Sequence, residues 1–297
     1  MNEFDRLVYL TIAYSSYFSF ALNKSEIFRR LPTSFNLQYL FNLKNETPKK
    51  IKISEQKIHN SLKKLLELSL IKTDGEYYFL QKKDLLNRKQ KVNYCDFKNK
   101  EDEAFVKIAS KIPFIKAVAL TGSAAVGNAD REDDLDFMII CRKNTLWLTR
   151  FLLILLIKFK KRRPKFNEPG GWCVNLLLDE GDLLLDNKRR GLYEAYEILQ
   201  MKFVLDRGEY EKRFLNANDW IKKYLFYYGN YKFDEYKKNK SFSFINQLFF
   251  FIQKVYRLIV FGKENFSLSL TQAFFNDIDF KNKLLKILER KSNFKKE

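Results

Sequence analysis

Apolar residues in the first part of the chain recur with the three-to-four-residue spacing of helices that bury one face. This pattern predicts three helices, of which the second ends before Pro32 and the third begins at Ser54. The pair Asp74-Gly75 follows between two apolar stretches, which is a strong hairpin signal. Residues 1–90 are therefore predicted to form helix, helix, helix and hairpin.

This order of elements resembles a winged helix-turn-helix module. The resemblance implies that the third helix would enter a DNA major groove and that the Asp74-Gly75 hairpin would be the wing. The connection at 33–53 is longer than in a compact version. Because such modules also serve in docking or oligomerisation, both interpretations stay open.

A polar, charged stretch at 81–100 is interpreted as a linker, and a helix is predicted at 101–111. A short buried strand follows at 115–120. From there to about Asp179 the pattern alternates strand, turn, helix, strand, helix and strand, which indicates an α/β domain.

From Gly191 onward the period is helical, with helices predicted at 193–203, 210–224 and 280–288. The aromatic stretch at 242–261 predicts an amphipathic helix. Its polar residues are spaced as a water-facing side: Asn246, Gln247, Gln253, Lys254 and Arg257. The chain is thus divided into a winged-helix-like domain at 1–90, a central domain at 91–185 and a helical domain at 186–297.

The chain has 297 residues and is 46% hydrophobic, which is enough for a real core and excludes a disordered tail. Lys and Arg number 55 against 36 for Asp and Glu, so the formal net charge is +19. Such a balance favours polyanionic partners such as RNA, DNA or nucleotides. The 29 Phe and the many Lys, Asn and Ile also fit the drift of an AT-rich genome, so charge alone identifies no partner.

The three cysteines are far apart and form no CxxC pair, which argues against a disulfide framework or a zinc knuckle and fits a reducing cytosol. His59 is the only histidine and is interpreted as a surface or packing residue. His-based zinc sites and Ser-His-Asp hydrolysis are therefore not expected. Catalysis would have to use carboxylates, lysines, hydroxyls or a bound metal.

No secretory signal opens the chain, and the apolar run at 146–159 is shorter than the roughly 20 residues that cross a bilayer. A buried helix is predicted there instead. We expect no membrane span and a cytoplasmic protein. Binding of the aromatic helix at 242–261 to a membrane surface remains an alternative.

The segment that carries chemistry joins Thr121-Gly122-Ser123, after a buried strand, to Asp134-Leu135-Asp136, which begins the next strand. Side chains alternate along a strand, so the two aspartates point to one side and lie next to each other. A hard cation such as Mg²⁺ offsets their repulsion. Gly122 lets the backbone approach a phosphate, and Ser123 supplies a hydroxyl and an amide.

The Gly-Ser pair, a spacer of ten residues and Asp-x-Asp between apolar residues resemble the signature of the polymerase-β-like nucleotidyltransferase superfamily. The resemblance covers about residues 115–180 and implies an α+β fold, with a mixed sheet backed by helices. It also implies that Gly122 and Ser123 hold the triphosphate of an NTP, while Asp134 and Asp136 bind Mg²⁺ or Mn²⁺. An acceptor hydroxyl of RNA, protein or a small molecule would attack the α-phosphorus and release pyrophosphate.

Members of this superfamily often add a third carboxylate from a later strand. At the corresponding position of the predicted strand 172–179 stands Asn175, whose amide can neither accept a proton nor bring charge. Asp179 at the end of that strand, or else Glu180, is the alternative. Asn175 and Asp179 are therefore counted with Asp134 and Asp136 as candidate catalytic residues.

Basic residues offer further contacts to polyanions. The run at 158–165 would bind RNA or the triphosphate, or it is a solvated loop. The group 188–190, with Tyr193 and Tyr196, would face the nucleotide. Two other functions stay open: a DNA-binding regulator or antitoxin-like protein with a degenerate nucleotide-binding fold, and a nucleotide sensor without turnover. The sequence leaves the base, the acceptor and the oligomeric state undetermined.

Overall fold

A computed structural model shows the fold of the chain. It describes residues 1–34, 40, 53–130, 132–159, 171–239, 241, 243–261, 267–275, 284 and 286–288. In this part of the chain the fold is mixed α+β, built around a six-stranded mixed sheet. This confirms the predicted class in its general form.

The first region has the predicted order of elements. Its elements are α1 (Glu3–Tyr17), α2 (Lys24–Arg30), α3 (Glu55–Glu67), β1 (Lys72–Thr73) and β2 (Tyr78–Phe79). The side chains of Asn2, Asn23 and Ser54 cap the three helices by accepting hydrogen bonds from backbone N–H groups of the first turns. The apolar faces of these helices meet in one core around Leu7, Ile27 and other aliphatic residues. Ser54 caps the third helix as predicted.

The predicted linker is wrong, because one continuous helix, α4, spans Lys82–Ala109. Three of its polar residues, Asp84, Arg88 and Lys91, bond to neighbouring elements. The Ser16 hydroxyl donates to Asp84 Oδ2 over 2.7 Å, and Lys91 Nζ donates to the Asn128 carbonyl over 2.8 Å. The first of these bonds links α4 to the N-terminal helices and the second links it to the loop beside the sheet. The predicted domain boundary at residue 90 lies inside this helix.

The large sheet combines strands from the middle and the end of the chain. Its strands are β3 (Ile115–Thr121), β4 (Leu135–Cys141), β5 (Trp172–Asp179), β6 (Lys202–Asp206), β7 (Ser267–Leu268) and β8 (Gln272–Phe274). Their spatial order is β6-β3-β4-β5-β8-β7. Strands β4 and β5 run parallel, and the other neighbouring pairs are antiparallel.

The C-terminal region, predicted to be a helical domain, also supplies strands, since β6, β7 and β8 all come from residues 186–297. The spacing of apolar residues in a short run such as 202–206 fits a strand or a buried helix equally well. Only the pairing of this run with β3 shows that it is a strand. Three helices of this region are α7 (Leu192–Gln200), α8 (Tyr210–Ala217) and α9 (Phe244–Phe261). Of the predicted helix 280–288, residues 284 and 286–288 are helical and the others lie outside the described residues.

Side chains of β4 alternate between two hydrophobic cores on opposite faces of the sheet. Phe137 and Ile139 pack with α4 and with α6 (Leu146–Phe159), and Met138 and Ile140 pack on the face that α7 and α8 cover. Asp136 belongs to the second face by the same alternation. Within the described residues, no helix is both long enough and apolar enough to pass through a bilayer.

Candidate functional site

The topology brings the motif residues to one edge of the sheet. Strand β3 ends where its antiparallel neighbour β4 begins, with Thr121 opposite Asp136. Strand β5 runs parallel to β4 and begins at the same edge, with Cys173 opposite Asp136. The Gly-Ser bend, the Asp-x-Asp segment and the start of β5 therefore meet at one place.

Gly122 lies directly against Asp136. Its backbone has φ +66°, in the left-handed region, and a Cβ added there would lie 2.7 Å from Asp136 Oδ2. Side chains rarely adopt this backbone conformation, and a methyl group would collide with the carboxylate. This closeness of the bend to the Asp-x-Asp strand is expected from the sequence, and glycine is the residue that permits it.

Hydrogen bonds fix the loop that precedes β4. Asp134 Oδ1 accepts from the Gly171 N–H over 2.7 Å, so this carboxylate connects β4 to the start of β5. Asp133 Oδ2 accepts from the Ser123 hydroxyl over 3.2 Å. Asp133 is thus a site residue that is not among the candidates predicted from the sequence, and its carboxylate holds Ser123 beside Asp134 and Asp136.

Asp136 carries a strongly perturbed carboxyl. Burial, together with the neighbouring charges of Asp134 and Asp133, raises the pKa of Asp136 to about 7. A hydrogen bond from the Asn175 amide nitrogen to Asp136 Oδ1 acts in the opposite direction and favours the ionised form. The site therefore holds more negative charge than its own residues balance.

Asn175 reaches Asp136 because β5 contains a bulge. Val174 pairs with Phe137 and Leu176 pairs with Met138, so Asn175 is the extra residue between them. Such bulges redirect side chains, often near active sites. The predicted neighbourhood of Asn175 and the acid pair is found, and the irregularity that produces it has no signal in the sequence.

Asp179 does not reach the site, which corrects its place among the candidate catalytic residues. It lies at the opposite end of β5, beside Cys141, because four more residues of extended chain separate it from Asn175. Its carboxylate accepts hydrogen bonds from the backbone N–H groups of Asn144 at 2.6 Å and Gly181 at 2.8 Å. Glu180 is also at that end and accepts a hydrogen bond from the Lys143 N–H.

Glu197 on α7 is a site residue that the sequence analysis missed. It lines the same cavity as Asp136, and burial raises the pKa of Glu197 to about 7, with further upward contributions from Asp136 and Glu194. The Gly122 N–H donates a hydrogen bond to its carboxylate. A glutamate in a helix of mixed polarity is ordinarily solvated, so its spacing gives no sign of this position.

A cavity of about 260 Å³ opens at this edge and also involves the N-terminal region. The sheet and α7 contribute Gly122, Asp136 and Glu197 to its walls. The residues from the N-terminal region are Tyr14, Ser15, Phe18, Phe20 and Arg30. Helices of the first region therefore form part of the site. A larger cavity, of about 450 Å³, lies at the far end of the sheet, beside Lys143 and Glu180.

A second cavity, of about 100 Å³, adjoins the first at Thr121, Tyr193 and Glu197. Lys188 and Arg189 line this second cavity. That they face a nucleotide stays a prediction. The guanidinium of Arg189 lies 3.9 Å from the centre of the Phe274 ring.

The remaining basic and aromatic candidates do not join the site. Arg190 Nε donates to the Leu185 carbonyl, and Tyr196 is buried and donates to the Arg30 carbonyl. Most of the basic run at 158–165 lies outside the described residues.

The donor set suits a hard cation with few protein ligands. Among the described residues, no group of three or more His, Cys, Asp or Glu converges in a way that could hold a metal ion. Asp134 and Asp136 supply carboxylate oxygens, and Mg²⁺ commonly binds through one or two carboxylates together with substrate phosphates. The unbalanced charge around Asp136 is what such an ion would offset.

Comparison of the chain with protein-family models, curated proteins and solved structures yielded no match. The functional interpretation therefore depends on the residues and geometry of the site itself.

Proposed function

We propose that the chain is a Mg²⁺-dependent nucleotidyltransferase that transfers a nucleoside monophosphate from an NTP to an acceptor hydroxyl. The observation that carries this proposal is the contact between the Gly122 bend and the Asp136 carboxylate at the shared edge of β3 and β4. A phosphate chain held by the bend would lie directly beside the acid pair.

Each residue of the motif has a role in this proposal. The absence of a side chain at Gly122 opens the backbone to the triphosphate, and Ser123 offers its hydroxyl after release from Asp133. Asp134 and Asp136 would hold Mg²⁺, which when bound neutralises phosphate charge and polarises the α-phosphoryl group. Asn175 orients Asp136 through its hydrogen bond.

The proposed reaction breaks a phosphoanhydride bond of the NTP and forms a phosphate ester bond to the acceptor. The acceptor oxygen attacks the α-phosphorus, the bond from that phosphorus to the bridging oxygen of the β-phosphate breaks, and pyrophosphate leaves. The hydroxyl proton needs an acceptor, and the Asn175 amide cannot provide one. Glu197 is the candidate, since it lines the cavity while Asp134 and Asp136 would be engaged with the cation.

The aromatic wall of the 260 Å³ cavity beside Asp136 suits a planar or partly apolar group. Tyr14 and Phe18 lie with ring centres 5.4 Å apart, and Tyr193 faces the same space from α7. Stacking on such rings tolerates any nucleobase, because every base has a π face. We therefore assign the N-terminal helices a part in holding substrate.

Label transfer tests the proposal directly. The purified chain is incubated with each α-labelled NTP, Mg²⁺ or Mn²⁺, and pools of tRNA, small RNA and protein. We expect incorporation that Asp134→Asn and Asp136→Asn abolish. Asp219→Asn, the same chemical change at an exposed position, should leave it intact. Absence of both incorporation and Mg²⁺-dependent NTP binding would contradict the proposal.

A second candidate is a DNA-binding regulator that keeps the nucleotide site without turnover. Asn175 favours it, because the strand brings no third carboxylate to the acid pair. The exposed side of α3 offers Lys57, Asn60 and Lys63 to a polyanion. Salt-sensitive binding to duplex DNA, lost in the double variant Lys57→Glu/Lys63→Glu and accompanied by no label transfer, would favour this candidate.

A further inference from the structure

The prediction that the polar residues of helix α9 face water is correct for Lys254, which is exposed, and wrong for two of the amides. Asn246 and Gln253, predicted to face water, are only 4% and 7% exposed. Asn246 Oδ1 accepts from the Trp147 N–H over 2.9 Å, and Gln253 Nε2 donates to the Trp147 carbonyl over 2.8 Å. These two amides of α9 therefore pack on α6 and take the place of water as hydrogen-bond partners of the Trp147 backbone.

The apolar side of α9 consequently faces outward. Seven of its large side chains are between 48% and 78% exposed: Phe244, Ile245, Phe251, Ile252, Tyr256, Leu258 and Ile259. On α6, Phe159 is 76% exposed and Phe151 is 39% exposed. The Phe151 ring contacts Phe249 of α9 with ring centres 5.1 Å apart, which joins the two helices. Contiguous apolar surface of this kind marks an interaction site.

The charged residues of α6 and α9 indicate what kind of partner binds this surface. Helices α6 and α9 carry four basic residues, Arg150, Lys158, Lys254 and Arg257, and neither helix contains an acid. Lys158 and Lys254 are exposed. A second copy of the chain would bring the same cations together, and each copy has a net charge of +19. An apolar surface with only basic charge complements a layer that is apolar inside and anionic at its surface.

We propose that the outer face of α6 and α9 binds the surface of an anionic phospholipid bilayer. The apolar side chains of α9 enter the headgroup boundary, and Lys158 and Lys254 approach the lipid phosphates. The helix lies along the membrane plane, as amphipathic surface helices do. This inference is independent of the nucleotidyltransferase proposal, because none of these residues lines the cavities at the Asp136 edge.

Vesicle flotation of the full chain tests the inference. We expect the protein to float with phosphatidylcholine vesicles that contain phosphatidylserine, to bind pure phosphatidylcholine much less, and to dissociate as salt rises. In the double variant Phe251→Ser/Ile259→Ser, partition should fall by about tenfold or more, because two large apolar side chains no longer enter the lipid. Leu68→Ser, at a side chain 50% exposed on another surface, is the matched control and should bind as the parent does.

Charge reversal provides a second measurement that does not touch the apolar residues. Lys158→Glu/Lys254→Glu should weaken flotation with the anionic vesicles and leave the melting temperature unchanged, since both side chains are exposed. Equal flotation with neutral and anionic vesicles would overturn the choice of an anionic surface. Failure of the parent protein to float would overturn the inference altogether. In that event, self-association that Phe251→Ser/Ile259→Ser abolishes would identify a second copy as the occupant.

Discussion

Asp136 Oδ2 lies 2.7 Å from the point that a Cβ on Gly122 would occupy. Gly122 begins the short helix α5 (Gly122–Ala125), and an acidic loop follows α5 before Asp136 in β4. The contact therefore joins two residues that are well separated along the chain. The bend supplies bare backbone, and the strand supplies a carboxylate whose charge has no full counterpart. Their contact is what makes this edge of the sheet a candidate for a cation and a phosphate chain together.

Replacing Gly122 with alanine tests this contact. Gly122→Ala should lower the affinity for Mg²⁺-NTP by about tenfold or more, since the new methyl group displaces Asp136. Gly75→Ala is the control: Gly75 also has positive φ, at +101°, but nothing lies within 4 Å of an added Cβ. Both variants should lose about 1–2 kcal/mol of stability from backbone strain. Only Gly122→Ala should also bind the nucleotide more weakly. Titration with a fluorescent NTP and thermal melting separate the two effects; equal affinities would count against the site.

The buried charge of Asp136 should make stability depend on pH. Its pKa in the folded protein is about 7, above the ordinary value of 3.8 that applies to the unfolded chain. Between these values the folded state holds a proton that the unfolded state has released, so rising pH destabilises the folded protein. Without metal, Asp136→Asn should therefore be more stable than the parent by about 4 kcal/mol above pH 7, with the difference shrinking towards pH 4.

Denaturant unfolding across this pH range measures the effect. Asp219→Asn, at a half-exposed residue paired with Lys222, should follow the parent at every pH. A gain in Asp136→Asn that is the same at pH 4 and pH 8 would show that charge burial is not its source.

Asn175 determines how many carboxylates meet at the site. In Asn175→Asp a third carboxylate replaces the amide that donates to Asp136. Without metal this should destabilise the protein by like-charge repulsion, and with Mn²⁺ or Mg²⁺ it should raise metal affinity by roughly tenfold, which is about 1.4 kcal/mol. Asn175→Leu also removes the amide but adds no charge, so it should show no such gain. The measurement is the metal-dependent rise in melting temperature, and equal rises in the aspartate and leucine variants would refute the expectation.

The orientation of α9 can be tested through Asn246. Asn246→Leu should destabilise the protein by about 2 kcal/mol, although it makes an apolar helix more apolar, because buried backbone groups lose their partners. Gln247→Leu makes the same kind of change at the next residue, which is only partly buried, and should alter stability by less than about 0.5 kcal/mol. If the two variants unfold at the same denaturant concentration, Asn246 does not face the core.

The polar residues of a helix predict its water-facing side correctly when their side chains have no partner elsewhere in the fold. The prediction fails when these side chains hydrogen-bond to distant segments. The charged stretch after Gln81 is helical because residues such as Asp84 and Lys91 bond to neighbouring elements. Asn246 and Gln253 turn inward for the same reason. Hydrogen-bonding partners that are distant in the chain leave no periodic trace, so a polar residue in a helix is ambiguous before the fold is known.

From the sequence alone came the helices and hairpin of the first region, the strands on either side of the Gly-Ser bend, and the meeting of Gly122 with Asp136. These features follow from signals within a few neighbouring residues: the spacing of apolar positions, the residues that cap helices, and glycine at a turn. Tertiary structure alone decided the three late strands of the sheet, the bulge that directs Asn175, the distance of Asp179 and the arrival of Glu197. Each of these features depends on contacts between segments that are distant in the sequence. The energies of burial and strand pairing that favour such contacts arise only in the folded chain.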